Sequence, residues 1–544
     1  MNRTLIVSLL FVLLWGLGLA NRNLTRPDEG RYAEIAREMA VTGQWITPRL
    51  NAIPYFEKPP LQYWATALAI RWLGPTPLAA RLWVGLMGLL GVLVIWKTGD
   101  RIFGQGTGIR SALVLCSSLY YAALGHINTL DMGVTFWMTC SICAFLLAQT
   151  ENTRWMLLAW AAAAAAFMSK GLIALALPGG ALLVYSLWTR DTSPWKRLEL
   201  LRGMPLFLVL VVPWFWLCYG EHPQFLWFFF IHEHLERFAT TVHNRVEPFW
   251  YFLPILLTGW LPWTGLLPAS LLAPLKGASH HSKTFSPRRF LTVYALFIVA
   301  FFSLSGSKLP AYILPAFPAI ALLMGRGLHQ AARPPTHPVW WALGWSGFLA
   351  LTAFVLGFPD AAAFLGLHPD VDPDMVSDYR QFALWIAGAA ALMAMGSILA
   401  LRCRKRSLTF LTILSLASLS TVQTLLLGSN ALSSVSSASL VVHQIGPFLR
   451  QASHVYSIDT YDQTLDYYLG RTVTLVTFQD ELSFGLHLEP QDSIPTLEEF
   501  RSVWLQDTGA AAFMEPAMFS VLTRMGLPMR ILYQDTRRVI VARI

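Results

Sequence analysis

The amino-acid sequence predicts an all-α, multi-pass membrane protein with about thirteen transmembrane helices, followed by a small C-terminal α/β domain. Of its 544 residues, 55% are hydrophobic and 13% are charged, which is too apolar for a soluble chain of this length. Apolar runs close to the roughly 20 residues that a bilayer-spanning helix needs recur as far as residue 428. Beyond residue 430 the pattern changes to short segments typical of strands and helices.

Thirteen apolar runs are predicted to span the membrane. The first, 4–20, could be a cleaved signal peptide, but an uncleaved anchor is the better prediction because apolar runs continue for hundreds of residues. Two runs, 155–168 and 290–304, are short, which indicates a tilted helix or one that ends early at a cavity. The predicted spans are 4–20, 79–96, 109–125, 132–149, 155–168, 172–188, 203–219, 251–274, 290–304, 311–325, 339–357, 381–401 and 408–428.

Lysine and arginine concentrate in alternate loops, for example at 190–202 and 402–406. Because basic loops favour the cytoplasm, the N-terminus is predicted to lie inside and the C-terminal domain outside, in the periplasm. This bias also explains the net charge of +9, so a nucleic-acid partner is not expected.

The opposite loops mix charge with aromatic residues. The longest, 21–78 and 221–248, predict juxtamembrane helices that lie in the membrane interface, and residues 28–41 have a usable apolar helical face.

The boundary between the two predicted domains falls at a predicted linker, 430–439, so that 1–429 form the membrane domain and 430–544 the outer domain. Strands are predicted within 452–460, 471–478, 509–515 and 537–544. Cysteine pairs with metal or redox spacing are not expected to be functional here.

With this topology, a set of ionisable and polar side chains falls on the outer face. Ionisable groups at membrane depth are costly and are tolerated mainly around a cavity or a charged ligand. Lysine and arginine suit a phosphate, whereas carboxylates suit a base, a metal or the recognition of an amine or hydroxyls. The set comprises Asp28, Glu29, Glu57, Lys58, Asp131, Lys170, His232, His234, Arg237, Lys308 and Tyr312.

Each of these residues also has a purely structural interpretation. Asp28 could cap a helix that begins at Glu29, and Glu57 with Lys58 could be a surface pair of little energetic value. Lys170 could extend to the interface, and Lys308 could anchor a helix end. The joint placement on one face favours a functional site, because the opposite loops hold almost only basic residues.

An ordered set of motifs covers nearly the whole chain and resembles the lipid A aminoarabinose transferases (ArnT), a family of the GT-C membrane glycosyltransferases. The motifs are "RPDEGRYAEIAREM", "YFEKPP", "DMGVTFW", "FMSKGLIALALP", "HEHLERF", "SKLPAYILPAFPAIALL" and "DTYDQTLDYYLGR". The resemblance implies a monomeric inner-membrane enzyme that transfers 4-amino-4-deoxy-L-arabinose from undecaprenyl phosphate to lipid A phosphates. That modification of lipopolysaccharide confers resistance to polymyxin and other cationic peptides.

The resemblance also implies roles for individual residues. Asp28 and Asp131 match catalytic acids, and Lys58 matches a contact to the carrier phosphate. Further substrate or phosphate contacts are implied at Glu29, Lys170, Arg237, Lys308 and Tyr312. A zinc ion is implied between Glu57 and His234, although "HEH" leaves His232 as a rival and two protein ligands are few for zinc.

Two alternatives stay open at this point. A GT-C relative could move another sugar, or move it onto protein or another glycan. A lipid transporter or flippase is a different class, but the sequence has no inverted repeat and its polar groups gather at the outer face rather than at the midplane.

Overall fold

A computed structural model describes residues 3–236, 247–275, 285–364 and 375–543. Within these ranges, eight helices of at least 18 residues are apolar enough to cross a membrane, and a broken helix pair bent by 108° makes a ninth candidate. Four further apolar helices have 10–17 residues. Together these segments coincide with the thirteen predicted spans, and the run at 290–304, predicted to be short, lies in the full-length helix Pro287–Leu304.

The apolar segments are helical, as expected where each span must satisfy its own backbone hydrogen bonds in the bilayer. The break in the bent pair contains Pro262, which cannot donate a helical hydrogen bond. The helices are Arg3–Ala20, Pro77–Phe103, Thr107–Ser117, Leu119–Leu124, Leu130–Thr150, Trp155–Lys170, Ile173–Thr189, Leu200–Glu221, Phe252–Gly259, Leu267–Leu272, Pro287–Leu304, Phe317–Gln330, His337–Gly357, Val376–Arg402 and Ser407–Gly428.

The first outer loop, residues 21–78, folds into a helix, Asp28–Thr42, a short hairpin and a second helix, Leu61–Leu73. The hairpin pairs β1 (Arg49–Leu50) with β2 (Ile53–Pro54). The predicted helix is confirmed, but it does not lie on an open interface. Nearly every residue from Glu29 to Met39 is buried, because the C-terminal region covers the side that faces away from the membrane helices.

The predicted linker at 430–439 is wrong, since this segment is largely helical. A 3₁₀ turn, Ser429–Leu432, leads into Ser433–Ser436 and then into the helix Ser439–Gln451. Its backbone is held by the rest of the chain. The Arg538 side chain donates to the carbonyl oxygen of Ser437 at 3.0 Å, and the backbone amide of Arg26 donates to the carbonyl oxygen of Ser436 at 2.9 Å. A serine-rich segment with these partners is part of the fold rather than a flexible connection.

The C-terminal region contains a six-stranded sheet between helices. Its strands are β3 (Val455–Ile458), β4 (Thr474–Val476), β5 (Ser493–Ile494), β6 (Ala511–Met514), β7 (Met529–Gln534) and β8 (Val539–Arg543), in the spatial order β5-β4-β3-β6-β8-β7. The first four are parallel, and β8 runs antiparallel to β6 and β7. All four predicted strands are confirmed, as β3, β4, β6 and β8. The other two strands were not predicted, because β5 has only two residues and the edge strand β7 lacks a clear apolar alternation.

The C-terminal region and the first outer loop share one hydrophobic core, in which Ile35 and Met39 lie with Leu465 and Leu475. The two parts approach closely at Gly30, where an added Cβ would lie 2.7 Å from the backbone of Gln463 and Thr464. Because no larger side chain fits this contact without a shift of backbone, the sequence of the first outer loop is adapted to the docked C-terminal region.

Candidate active site

Asp28 is the first residue of its helix and has a half-exposed carboxylate. It accepts a hydrogen bond from Arg31 Nη1 at 2.8 Å, and Arg31 also pairs with Glu481 of the C-terminal region. The capping alternative is not supported, because the helix begins at Asp28 rather than Glu29 and its N-terminus has no side-chain cap. The carboxylate therefore lies at the helix start, held by an arginine that links two parts of the chain.

Glu29 is wholly buried and lies in a clamp of hydrogen bonds. Arg81 Nε and Nη2 each donate to its carboxylate at 2.7 Å, and the amide of Asn128 donates at 3.0 Å. Burial alone would raise the pKa of Glu29, but the guanidinium groups of Arg81 and Arg22 outweigh it and lower the pKa to about 2. This geometry favours a structural role, in which Glu29 ties the first outer loop to the helix Pro77–Phe103.

Lys58 lies in a nearly closed environment of carboxylates. Its Nζ donates to Glu233 Oε2 and to the backbone oxygen of Glu57, both at 2.7 Å, and lies 3.9 Å from Glu57 Oε2. The Lys58 and Glu57 side chains are 11% and 18% exposed, so they are not the exposed surface pair of the structural interpretation. Glu233 is 1% exposed and belongs to the π-helical segment Phe228–Glu236.

Asp131 and Lys170 form an ion pair between two membrane helices. Asp131 lies in the first turn of Leu130–Thr150, where a carboxylate suits the helix dipole, and Lys170 is the last residue of Trp155–Lys170. Lys170 Nζ also lies 5.3 Å from the ring centroid of Tyr312. The fold thus brings three of the predicted site residues together, and Lys170 is held at the site rather than extended to the interface.

Lys308 is held by backbone carbonyls. Its Nζ donates to the oxygen of Ser305 at 2.7 Å and to that of Glu247 at 2.9 Å, and the residue is 7% exposed. Ser305 directly follows the helix Pro287–Leu304. This geometry favours the alternative in which Lys308 anchors a helix end, and a contact to the carrier remains a proposal.

Carboxylates of three different elements act electrostatically on the buried Tyr32. Its burial and the negative charges of Asp28, Glu57 and Asp131 raise its pKa, against the opposing effect of Arg31. These groups come from the helix Asp28–Thr42, the segment before Leu61–Leu73 and the helix Leu130–Thr150. The fold therefore brings charges that are far apart in the sequence within electrostatic range of one buried side chain.

The predicted zinc site receives no support from the described donors. The side chain of His234 and all of Arg237 lie outside the described residues. In the part of the chain that the structure describes, His, Cys, Asp and Glu form no group of three or more that could hold a metal ion. His232, the rival ligand, has its Nδ1 facing Glu236 Oε2 at 2.8 Å.

Sequence reasoning missed several residues that organise this site. Glu233 lies between the two histidines of "HEH", and its signal was an acid in an otherwise aromatic outer segment. Arg81 is a lone arginine near the start of an apolar span, and such a charge requires a buried partner. Arg31 and Glu481 carried no local signal, because each looks like an ordinary charged residue on a helix or turn.

Comparisons with known proteins agree with this architecture. A model of the aminoarabinose transferase C-terminal domain matches residues 441–543, and one of dolichyl-phosphate-mannose-protein mannosyltransferase matches residues 57–217. An undecaprenyl phosphate-alpha-4-amino-4-deoxy-L-arabinose arabinosyl transferase of Pectobacterium carotovorum is 35% identical over 404 residues, 71% of each chain. The Erwinia tasmaniensis protein of the same name is 36% identical over 332 residues, which span 59% of this chain and 58% of that protein.

The structural comparison covers almost the entire chain. The crystal structure of ArnT from Cupriavidus metallidurans bound to undecaprenyl phosphate matches with a TM-score of 0.89 and 33% identity, over 99% of this chain and 98% of that one. Its apo form matches with a TM-score of 0.88. With the Pectobacterium alignment, this likeness shows that the chain is a multi-pass GT-C membrane protein and belongs to the ArnT family of undecaprenyl phosphate-alpha-4-amino-4-deoxy-L-arabinose arabinosyl transferases.

Proposed function

We propose that this chain transfers 4-amino-4-deoxy-L-arabinose from undecaprenyl phosphate to phosphates of lipid A. The names of its relatives and the undecaprenyl phosphate bound by the Cupriavidus protein support this sugar and this carrier. The observation that carries the proposal is the pairing of largely buried cations with carboxylates, Lys58 with Glu57 and Glu233 and Lys170 with Asp131. Such a site offers cations that can bind a phosphate, together with carboxylates, on the proposed outer side of the membrane.

The proposed location is the bacterial inner membrane, with the N-terminus in the cytoplasm and the C-terminal region in the periplasm. The alternation of basic loops supports this orientation. In that arrangement the site residues and the docked C-terminal region lie on the periplasmic side, where lipid A would be the acceptor.

The proposed reaction breaks the bond between the anomeric carbon and the carrier phosphate and forms one to a phosphate oxygen of lipid A. Lys58 stabilises the negative charge that develops on the leaving phosphate, and Lys170, Arg237 and Lys308 are the further cations on this side. An acceptor phosphate is already ionised, so it needs little help from a base.

The carboxylates act on the sugar in this scheme. Asp28 and Asp131 face the electron-poor anomeric centre or the amine of the sugar, and Tyr312 lies beside Lys170 at the edge of the site. If the acceptor is a hydroxyl instead, Asp28 takes its proton as a general base. Each of these roles is a proposal for mutagenesis, and no step depends on a metal ion.

A second function within the GT-C group is favoured by one specific observation. The model of dolichyl-phosphate-mannose-protein mannosyltransferase matches residues 57–217, which include Glu57, Lys58, Asp131 and Lys170. The same residues would serve a transferase that moves another sugar onto protein or another glycan.

Mass spectrometry of lipid A separates these functions. Cells that express this chain should contain lipid A with the added mass of one or more aminoarabinose units, and cells without it should not. Expression of an Asp28→Asn variant at the same level is the control for an indirect effect. Unchanged lipid A in the presence of active protein, together with a new sugar on protein or glycan, would establish the second function instead.

A further inference from the structure

We propose that Glu233 is a positioning residue that orients Lys58 and limits how tightly the site holds the phosphate of the spent carrier. The inference rests on the proposed function, in which Lys58 contacts the carrier phosphate. It assigns to the π-helical segment Phe228–Glu236 a part in carrier binding and release, in keeping with the frequent occurrence of π-helical turns at functional sites.

The hydrogen bonds of Lys58 fix the direction of its ammonium group. A lysine ammonium has three N–H donors, and two of them reach the Glu57 backbone oxygen and Glu233 Oε2, each at 2.7 Å. With these two bonds made, the direction of the third N–H is defined, and among the described residues no hydrogen-bond acceptor occupies it, so it can meet an incoming phosphate oxygen. Glu233 therefore acts on the substrate through Lys58.

The balance of charge at Lys58 limits its affinity for a phosphate. The ammonium faces the Glu233 carboxylate at 2.7 Å and that of Glu57 at 3.9 Å, so two carboxylates already lie beside it. A phosphate that binds Lys58 adds a third negative group, and like-charge contacts at a binding site weaken association strongly. Glu233 is 1% exposed, so water screens its charge poorly.

This limit on affinity has a functional consequence. The carrier phosphate is present both in the donor and in the released product, so a contact that binds both equally lowers KM without raising kcat. A lysine without Glu233 would hold undecaprenyl phosphate more tightly and strengthen product inhibition. The buried carboxylate keeps the phosphate contact available for catalysis while the product can still leave.

The test uses the purified full-length protein and measures binding of undecaprenyl phosphate directly, beside donor kinetics. Glu233→Gln should bind undecaprenyl phosphate about tenfold more tightly, because a neutral amide still accepts the Lys58 hydrogen bond but no longer repels the phosphate. The KM for the lipid donor should fall and kcat should not rise. The control is Glu236→Gln on the same segment, whose residue is 40% exposed and pairs with His232, and its affinity should equal that of wild type.

A second variant keeps the test independent of folding. Glu233→Asp retains the charge and should bind within about twofold of wild type, even where Glu233→Gln lowers stability. Weaker or unchanged binding by Glu233→Gln, with wild-type binding intact, would overturn this inference alone. If the wild-type protein does not bind undecaprenyl phosphate, the proposed function falls and the inference falls with it.

Discussion

Replacement of Asp28 by asparagine separates a catalytic carboxylate from a structural one. The side chain is 47% exposed, and among the described residues it pairs only with Arg31, which keeps its second partner, Glu481, in the variant. Half-exposed ion pairs contribute roughly 0.2–1 kcal/mol, and the amide oxygen of asparagine still accepts a hydrogen bond. Unfolding stability should therefore fall by less than about 1 kcal/mol.

Activity should respond very differently, because asparagine carries no negative charge to face the electron-poor anomeric centre. Loss of one preorganised electrostatic contact to a charge that develops in the transition state typically costs about 10²–10³-fold in rate. We expect Asp28→Asn to lose sugar transfer by at least about a hundredfold. The assay is transfer of the lipid-linked sugar by purified protein, with thermal unfolding measured on the same preparation.

The matched control is Asp480→Asn, an exposed aspartate of the C-terminal region that also lies on the predicted outer side. Asparagine matches aspartate in size and shape, and both residue types are enriched at positive φ, so this variant should match wild type in both assays. Near-wild-type transfer by Asp28→Asn would refute the catalytic role. Loss of transfer together with a clear loss of thermal stability would show that Asp28 has a structural role instead.

Four further predictions concern the carrier contact, the buried Glu29, the docked C-terminal region and the membrane topology. Lys58→Ala should weaken binding of undecaprenyl phosphate about 10–100-fold in a direct binding assay, while the protein still inserts and purifies. Glu29→Gln should cost about 3–5 kcal/mol, because it leaves the buried guanidinium of Arg81 without its counter-charge, and thermal unfolding measures this loss. Since the folded pKa of Glu29 is about 2, below its ordinary value, the stability it contributes is present above about pH 5 and is lost as the pH falls toward 2, a dependence that the glutamine variant should lack. Gly30→Ala should loosen the C-terminal region and increase its cleavage in limited proteolysis, whereas Gly43→Asn, at a left-handed helix end with open space, should not. Reporter fusions should give cytoplasmic signals after residues 150, 280 and 405 and periplasmic signals after 240 and 440, and inversion at two sites would exclude the predicted topology.

The helices of the membrane region, four strands of the sheet and the family could all be predicted from the order of the amino acids. A bilayer forces each span to satisfy its backbone within one continuous apolar run, so run and helix coincide, as at 408–428 and Ser407–Gly428. Ordered motifs such as "RPDEGRYAEIAREM" are equally local, and the family they predicted is confirmed. Strands such as β8 were visible because their buried residues are consecutive in the chain.

The pairing of charges and the covering of elements depend on the folded chain and could not be predicted from local sequence. Glu29 and Asp28 are neighbours in one motif, yet Glu29 lies in the Arg81 clamp and Asp28 is half exposed. The partner of Lys58 is Glu233, 175 residues away, and no local pattern relates the two. The serine-rich segment 430–439 looked like a linker because its partners, among them Arg538, are contributed by distant parts of the chain. Helix and strand patterns depend on residues a few positions apart, whereas buried ion pairs and docking surfaces depend on where the whole fold places each residue.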